Sequence, residues 1–99
     1  MTAMHRILQE DRRLVILRSL NEMAGYEANE SIINQCLEQY AHNVSRDVVR
    51  SELAWLEEQQ LINVRDVSGY MVAKLTARGA DVATGKATVP GVKKPRPAL

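Results

Sequence analysis

The stretch S-R-D-V-V-R-S-E-L-A-W-L-E-E-Q-Q-L-I-N-V-R-D-V-S-G-Y-M-V-A-K-L-T-A-R-G, residues 45–79, decides how this chain folds. Ser45 can accept a hydrogen bond from an otherwise unpaired backbone N–H, and Asp47 adds negative charge at the positive end of a helix dipole, so a helix starts here. Val49, Leu53 and Leu56 recur at i, i+4 and i+7 and form one apolar stripe that predicts a core-facing side. Leu61 to Arg65 then brings the β-branched Ile62 and Val64. Ser68-Gly69 supplies a tight turn and Tyr70 to Leu75 a returning strand. Thr76 caps a last helix through Ala80 and Val82, with Gly85 placed to end it.

Working outward, His5 to Met23 is rich in helix formers, and Gly25 ends that segment where a positive φ is useful. Asn29 caps a helix from Glu30 to Ala41, with Ile33, Leu37 and Tyr40 at helical spacing, and His42-Asn43-Val44 forms the turn into the Ser45 helix. The expected order is helix, helix, short turn, helix, hairpin, helix. This fold class is mainly α with a small β-hairpin, a winged helix-turn-helix in which the Glu30 and Ser45 helices form the helix-turn-helix pair. The expected core includes Leu14, Leu17, Val49, Leu53, Leu56 and Leu75.

The run L-E-E-Q-Q-L-I, strand, S-G, strand, L-T-A-R-G resembles bacterial regulators of the multiple-antibiotic-resistance and arsenical-resistance types over residues 45–84. More of the chain, from M-H-R-I-L-Q-E-D-R-R-L-V-I-L through A-W-L-E-E-Q to V-P-G-V-K-K-P, is similar to small winged-helix proteins of Mu-like phages and prophages, whose members are labelled transcriptional regulators by similarity. Gln60 stands where the regulators usually have Gly, so the corner between helix and strand is expected to take a different backbone conformation.

Ninety-nine residues at 45% hydrophobic content close one core, built of Leu, Ile and Val because the chain has one Trp and no Phe. Residues 1–85 read as the winged-helix domain. Residues 86–99 hold all three prolines and have no helical period, and they read as a flexible, extended or disordered tail. That tail carries Lys86, Lys93, Lys94 and Arg96 with no acid, +4 in all, which leaves −3 for residues 1–85 of a total of +1. The apolar runs are too short to span a bilayer, Met1 to Gln9 lacks the apolar centre of a signal peptide, and the lone Cys36 fits a reducing compartment. The expectation is the cytoplasm, the host's for a phage protein, with no membrane partner.

A duplex-binding surface draws its affinity from Lys and Arg near phosphates, and here that signature is thin. Ser45, Arg46, Arg50 and Ser51 in the first half of the helix suit a DNA groove, Arg65 and Lys74 could place charge beside the wing, and Lys93, Lys94 and Arg96 could form a basic arm. The outward line Asp47, Ser51, Ala54 and Glu58 has two carboxylates and no cation. Arg46 and Arg50 therefore read either as DNA contacts or as a solvated, salt-bridged face beside Asp47 and Glu57. Val48 and Trp55, off the core stripe, are candidate partner contacts, though Trp55 reads slightly better as core packed on the first helix. Cys36 and His42 are too few for a metal site, and no cofactor is expected.

No phosphate loop, nucleophile elbow or His beside a candidate nucleophile marks an enzyme, and Glu57 and Glu58, adjacent on a helix, diverge by about 100°. Two functions remain. One is a phage-encoded transcriptional regulator that binds double-stranded DNA, paired as a homodimer because one small helix reads few base pairs. The other is a non-catalytic adaptor in phage assembly or DNA packaging that binds a phage or host protein, since a helix face without cations repels phosphate and meets a basic partner.

Overall fold

The apolar stripe of the Ser45 helix and that of the first helix meet in a shared core. In the computed structural model, which describes residues 2–97, the elements are α1 (Ala3–Glu22), β1 (Glu27–Asn29), α2 (Glu30–Gln39), α3 (Arg46–Glu58), β2 (Ile62–Val67), β3 (Tyr70–Leu75) and α4 (Ala77–Thr84). A single 3-10 turn at Ala24–Tyr26 joins α1 to β1. Met1 at one end, and Ala98 and Leu99 of the expected tail, lie outside the described residues. The protein is thus mainly helical with a small antiparallel sheet.

The caps do what side-chain chemistry asks of them. Asn29 Oδ1 accepts from Ile32 N at 2.9 Å, Ser45 Oγ from Val48 N at 3.2 Å and Thr76 Oγ1 from Gly79 N at 2.9 Å. Each satisfies a backbone donor that has no partner inside its helix. Gly85, at φ 86°, closes α4. All six expected core side chains are buried, joined by Ile16, Leu20, Ile33, Leu37, Leu61 and Ile62.

Three features differ from the reading of the sequence. The hairpin is part of a three-stranded sheet, ordered β1-β3-β2, because the short segment Glu27–Asn29 pairs with β3 in the register Glu27↔Lys74 to Asn29↔Val72. Its residues carry little strand propensity, so pairing rather than local preference makes the strand. The corner at Gln60 keeps the conformation usual for glycine, with φ 64°, and Gln bears the strain of a left-handed residue. Thr76 Oγ1 donates to Gln60 O at 2.8 Å and helps hold it there.

The third difference is the tail. Val89 and Val92 are buried, Lys93 N donates to Glu10 O at 3.1 Å, and Arg13 Nη1 donates to Gly91 O at 3.0 Å. This proline-containing segment gains order from two apolar anchors and from α1, none of which a local reading of its composition can register. Gly91 makes the approach possible. It sits at φ 99°, and a Cβ there would lie 2.7 Å from Trp55 Cζ2.

A buried ion triad fixes α1 to α3. Arg13 Nε donates to Glu52 Oε1 at 3.0 Å and Arg12 Nη1 to Glu52 Oε2 at 2.9 Å, so the carboxylate inside the core is paired on both oxygens. By contrast the first two turns of α1 extend past the body, leaving Met4, Ile7 and Leu8 exposed.

Candidate nucleic-acid interface

The first turn of α3 stands beside the hairpin tip, and Glu30 of α2 lies beneath both. Glu30 is only 2% exposed, yet it is fully engaged: the Nε groups of Arg46 and Arg50 both donate to its Oε1, the latter at 2.9 Å, and Met71 N donates to its Oε2 at 2.6 Å. Hydrogen bonding from Arg50 first, then from the Met71 backbone and Arg46, holds its carboxyl down at about 2, against the upward push of burial. Each arginine then reaches across to the turn, where Nη2 of Arg46 and of Arg50 donate to Gly69 O at 3.2 and 2.6 Å. The Arg46 guanidinium also stands 5.4 Å from the Tyr70 ring centroid.

The turn itself is of the tight kind that right-twisted strands favour, with Ser68 and Gly69 both at positive φ (52° and 87°) and Asp66 Oδ1 accepting from Gly69 N at 2.8 Å. One buried carboxylate and one turn carbonyl therefore lock two helices to the hairpin. The arginines keep a solvent side, their side chains being 58% and 37% exposed for Arg46 and Arg50. Asp47 and Asp66 act on Arg50 from nearby and raise its pKa further, after Glu30.

The remaining expected contacts separate into distinct places. Ser45 spends its hydroxyl on the cap, and Ser51 is exposed further along α3. Arg65 on β2 donates to Glu27 on β1 at 2.8 Å, a pairing that lowers the Glu27 carboxyl, with Lys74 of the intervening strand adding a smaller pull. Lys93 Nζ is 3.3 Å from Asp11 Oδ1 on α1, while Lys94 and Arg96 line a shallow depression with Arg18 and Glu22. Four of the nine expected cations and hydroxyls, namely Arg46, Arg50, Arg65 and Lys93, thus already hold a carboxylate of this chain. That pairing subtracts from the field available to a phosphate.

Of the two candidate partner contacts, Val48 is half-buried and Trp55 is covered by the chain itself. The Arg13 guanidinium lies 3.7 Å from the Trp55 ring centroid and Gly91 seats on the ring, so the tail occupies the face a partner would have used. Cys36 and His42 do not meet as ligands: His42 is buried against Asp11, Nε2 to Oδ2 at 2.7 Å, and Cys36 lines a groove between α1 and α2. Burial raises the Asp11 carboxyl, but hydrogen bonds from His42 and Lys93 outweigh it and leave it lowered.

Sequence reasoning missed Glu30 altogether. An acid directly after an N-cap reads as dipole compensation. The available cue was Arg46 and Arg50 spaced one turn apart on a helix that packs against α2, a pair that could share a single carboxylate.

The class defined so far is a small helical domain with a three-stranded antiparallel sheet whose arginines are fastened between helix and hairpin. No protein-family model matches the chain. It is similar to the "Uncharacterized protein gp26" of Escherichia phage Mu, 62% identical over 91 residues that cover 92% of this chain and 94% of that protein. It is also 55% identical over 73 residues to an "Uncharacterized protein" of Haemophilus influenzae, covering 73% of this chain and 71% of the other. The chain belongs to the family of the phage Mu protein, and the phage origin expected from its sequence is borne out.

Proposed function

We propose that this protein is a winged-helix, phage-encoded transcriptional regulator that binds double-stranded DNA without catalysis or a cofactor, in the cytoplasm of the host. The supporting observation is the junction of α3 and the β2–β3 hairpin. There Arg46 and Arg50 are held by Glu30 and Gly69 O with part of each guanidinium facing solvent, at the end of the helix that would enter a major groove. Arginines fixed in advance lose less rotamer freedom on meeting DNA than free ones. Among the described residues no helix is long and apolar enough to cross a membrane.

Fluorescence anisotropy of a labelled duplex at low salt tests it. Wild type should bind, and Arg46→Ala, which leaves Arg50 on Glu30, should lower both the affinity and the salt slope of log K, the latter by about 0.9 for each phosphate that Arg46 neutralises. Deleting residues 86–99 should reduce the slope by no more than about 2.7, because Lys93 is engaged by Asp11 and only Lys86, Lys94 and Arg96 remain to meet phosphate.

A second reading, an adaptor in phage assembly or packaging, draws on the pairing of Arg46 and Arg50 with Glu30 and of Arg65 with Glu27, and on exposed Asp47 and Glu58 along α3. Such a face complements a basic protein surface. No duplex binding at low salt, together with nuclease-resistant capture of a basic phage or host protein by wild type and its loss in Asp47→Lys/Glu58→Lys, would favour it.

A further inference from the structure

The first two turns of α1 carry the largest cluster of exposed apolar side chains on α1: Met4 is 65% exposed, Ile7 61% and Leu8 45%. They recur at i, i+3 and i+4, the spacing of a stripe that packs on something. Every described residue from Thr2 to Leu8 is exposed, so this part of the helix receives no support from its own domain. A few helical turns alone are marginal in water.

Along α1, at about 100° per residue, Met4, Leu8, Asp11, Val15, Arg18 and Glu22 all fall within about 40° of one line. The first two belong to the exposed stripe. The last four line a groove of about 880 Å³ together with Leu14, also of α1, Cys36 of α2, and Met23 and Tyr40, which follow the ends of the two helices. Stripe and groove are therefore consecutive halves of one helix face. At 1.5 Å per residue, Met4 lies about 10 Å to one side of Asp11 and Arg18 about 10 Å to the other.

From this we infer that a second copy of the chain covers that face: two α1 helices cross antiparallel about a two-fold axis near Asp11, each seating its Met4–Ile7–Leu8 stripe in the α1–α2 groove of the other. The arrangement is isologous and closes on itself, so neither stripe nor groove is left over. Charge favours the same direction. α1 has no acid in its first turn and no base in its last. Instead His5 and Arg6 sit near its positive end and Glu22 at its negative end, both unfavourable to the isolated helix dipole. Antiparallel apposition brings each positive end beside the other copy's negative end and offsets both. Asp11, at the axis, already holds His42 and Lys93 of its own chain, which moderates the approach of its symmetry mate. This pairing is independent of whether the chain binds DNA, and it uses neither Val48 nor Trp55.

Sedimentation equilibrium or light scattering of the full chain, from low micromolar to about 0.2 mM, measures it. Wild type should be a concentration-dependent dimer. Leu8→Asp on the stripe and Tyr40→Asp on the groove change exposed side chains, so each should keep the wild-type circular dichroism spectrum and, at concentrations where wild type is monomeric, its thermal midpoint, while raising the dimer dissociation constant at least about tenfold. A wild type that stays monomeric throughout overturns the inference, as does a dimer that neither variant weakens. Dissociation by Leu8→Asp but not by Tyr40→Asp would also overturn it, since the stripes would then meet each other outside the groove.

Discussion

Replacing Glu30 by Gln keeps the shape of the side chain and removes the charge that Arg46, Arg50 and the Met71 N–H all address. The native carboxyl is held at about 2 against an ordinary value of 4.5. At about 1.36 kcal/mol per pH unit, that separation corresponds to roughly 3 kcal/mol of stability at neutral pH, a figure that the solvent-facing sides of the two arginines reduce to about 2–3. Because the folded-state value lies below the unfolded one, this contribution is fully present above about pH 4.5 and fades as the pH falls toward 2. Asp11 and Glu27 are also held below their ordinary values by their partners, so the informative quantity is the difference between wild type and Glu30→Gln. Urea denaturation followed by circular dichroism at pH 7, 5, 3.5 and 2.5 should show that gap near about 2–3 kcal/mol at neutral pH, equivalent to roughly 10–20 °C in midpoint for a domain of this size, and shrinking on acidification. A gap below about 0.5 kcal/mol at pH 7, or one that stays constant down to pH 2.5, would refute the assignment of Glu30 as the residue that ties α2, α3 and the hairpin together.

Leu56→Ala, at a fully buried position, should cost about 2–5 kcal/mol in the same denaturation assay; an unchanged midpoint would contradict the stripe assignment of α3. Gly79→Ala should be among the most damaging changes, because a Cβ there would stand 2.0 Å from Leu61 O and 2.7 Å from Leu75 Cδ1, and refolding yield reads it directly. Gln60→Gly relieves a left-handed non-glycine corner and should raise stability by up to about 1 kcal/mol, with a fall in stability as the contrary result. Deleting residues 88–99 should shift the emission of Trp55, the single tryptophan, to longer wavelength as its covering face opens to water; unaltered emission would mean that the tail does not cover the ring.

Much of the architecture is written locally. Asn29, Ser45 and Thr76 announce their helices through side-chain oxygens that reach no further than three residues, and Ser68-Gly69 dictates its turn through positive φ angles. β1 is not legible in that way, since Glu-Ala-Asn becomes a strand only when β3 is present to pair with it. The junction at Glu30 is half legible. Its arginines stand out as the cations of α3, but the acid that holds them lies 16 and 20 residues earlier on another helix. The tail escapes a local reading because its composition describes what it cannot do by itself, whereas its order depends on Trp55 and Arg13, far back along the chain.

That last dependence sets a schedule for synthesis. Gly91 O meets Arg13 across 78 residues and Lys93 meets Asp11 across 82, so a segment made later in translation closes onto one made much earlier. While the ribosome still holds those residues, α1, α3 and the hairpin can assemble, but the indole of Trp55 and the carboxylate of Asp11 remain uncovered on that side. Domains fold as they emerge, and contacts between distant ends form late because a long loop must close first. Until the segment around Gly91 emerges, the nascent protein therefore presents an open aromatic face, and its helices form before that face is covered.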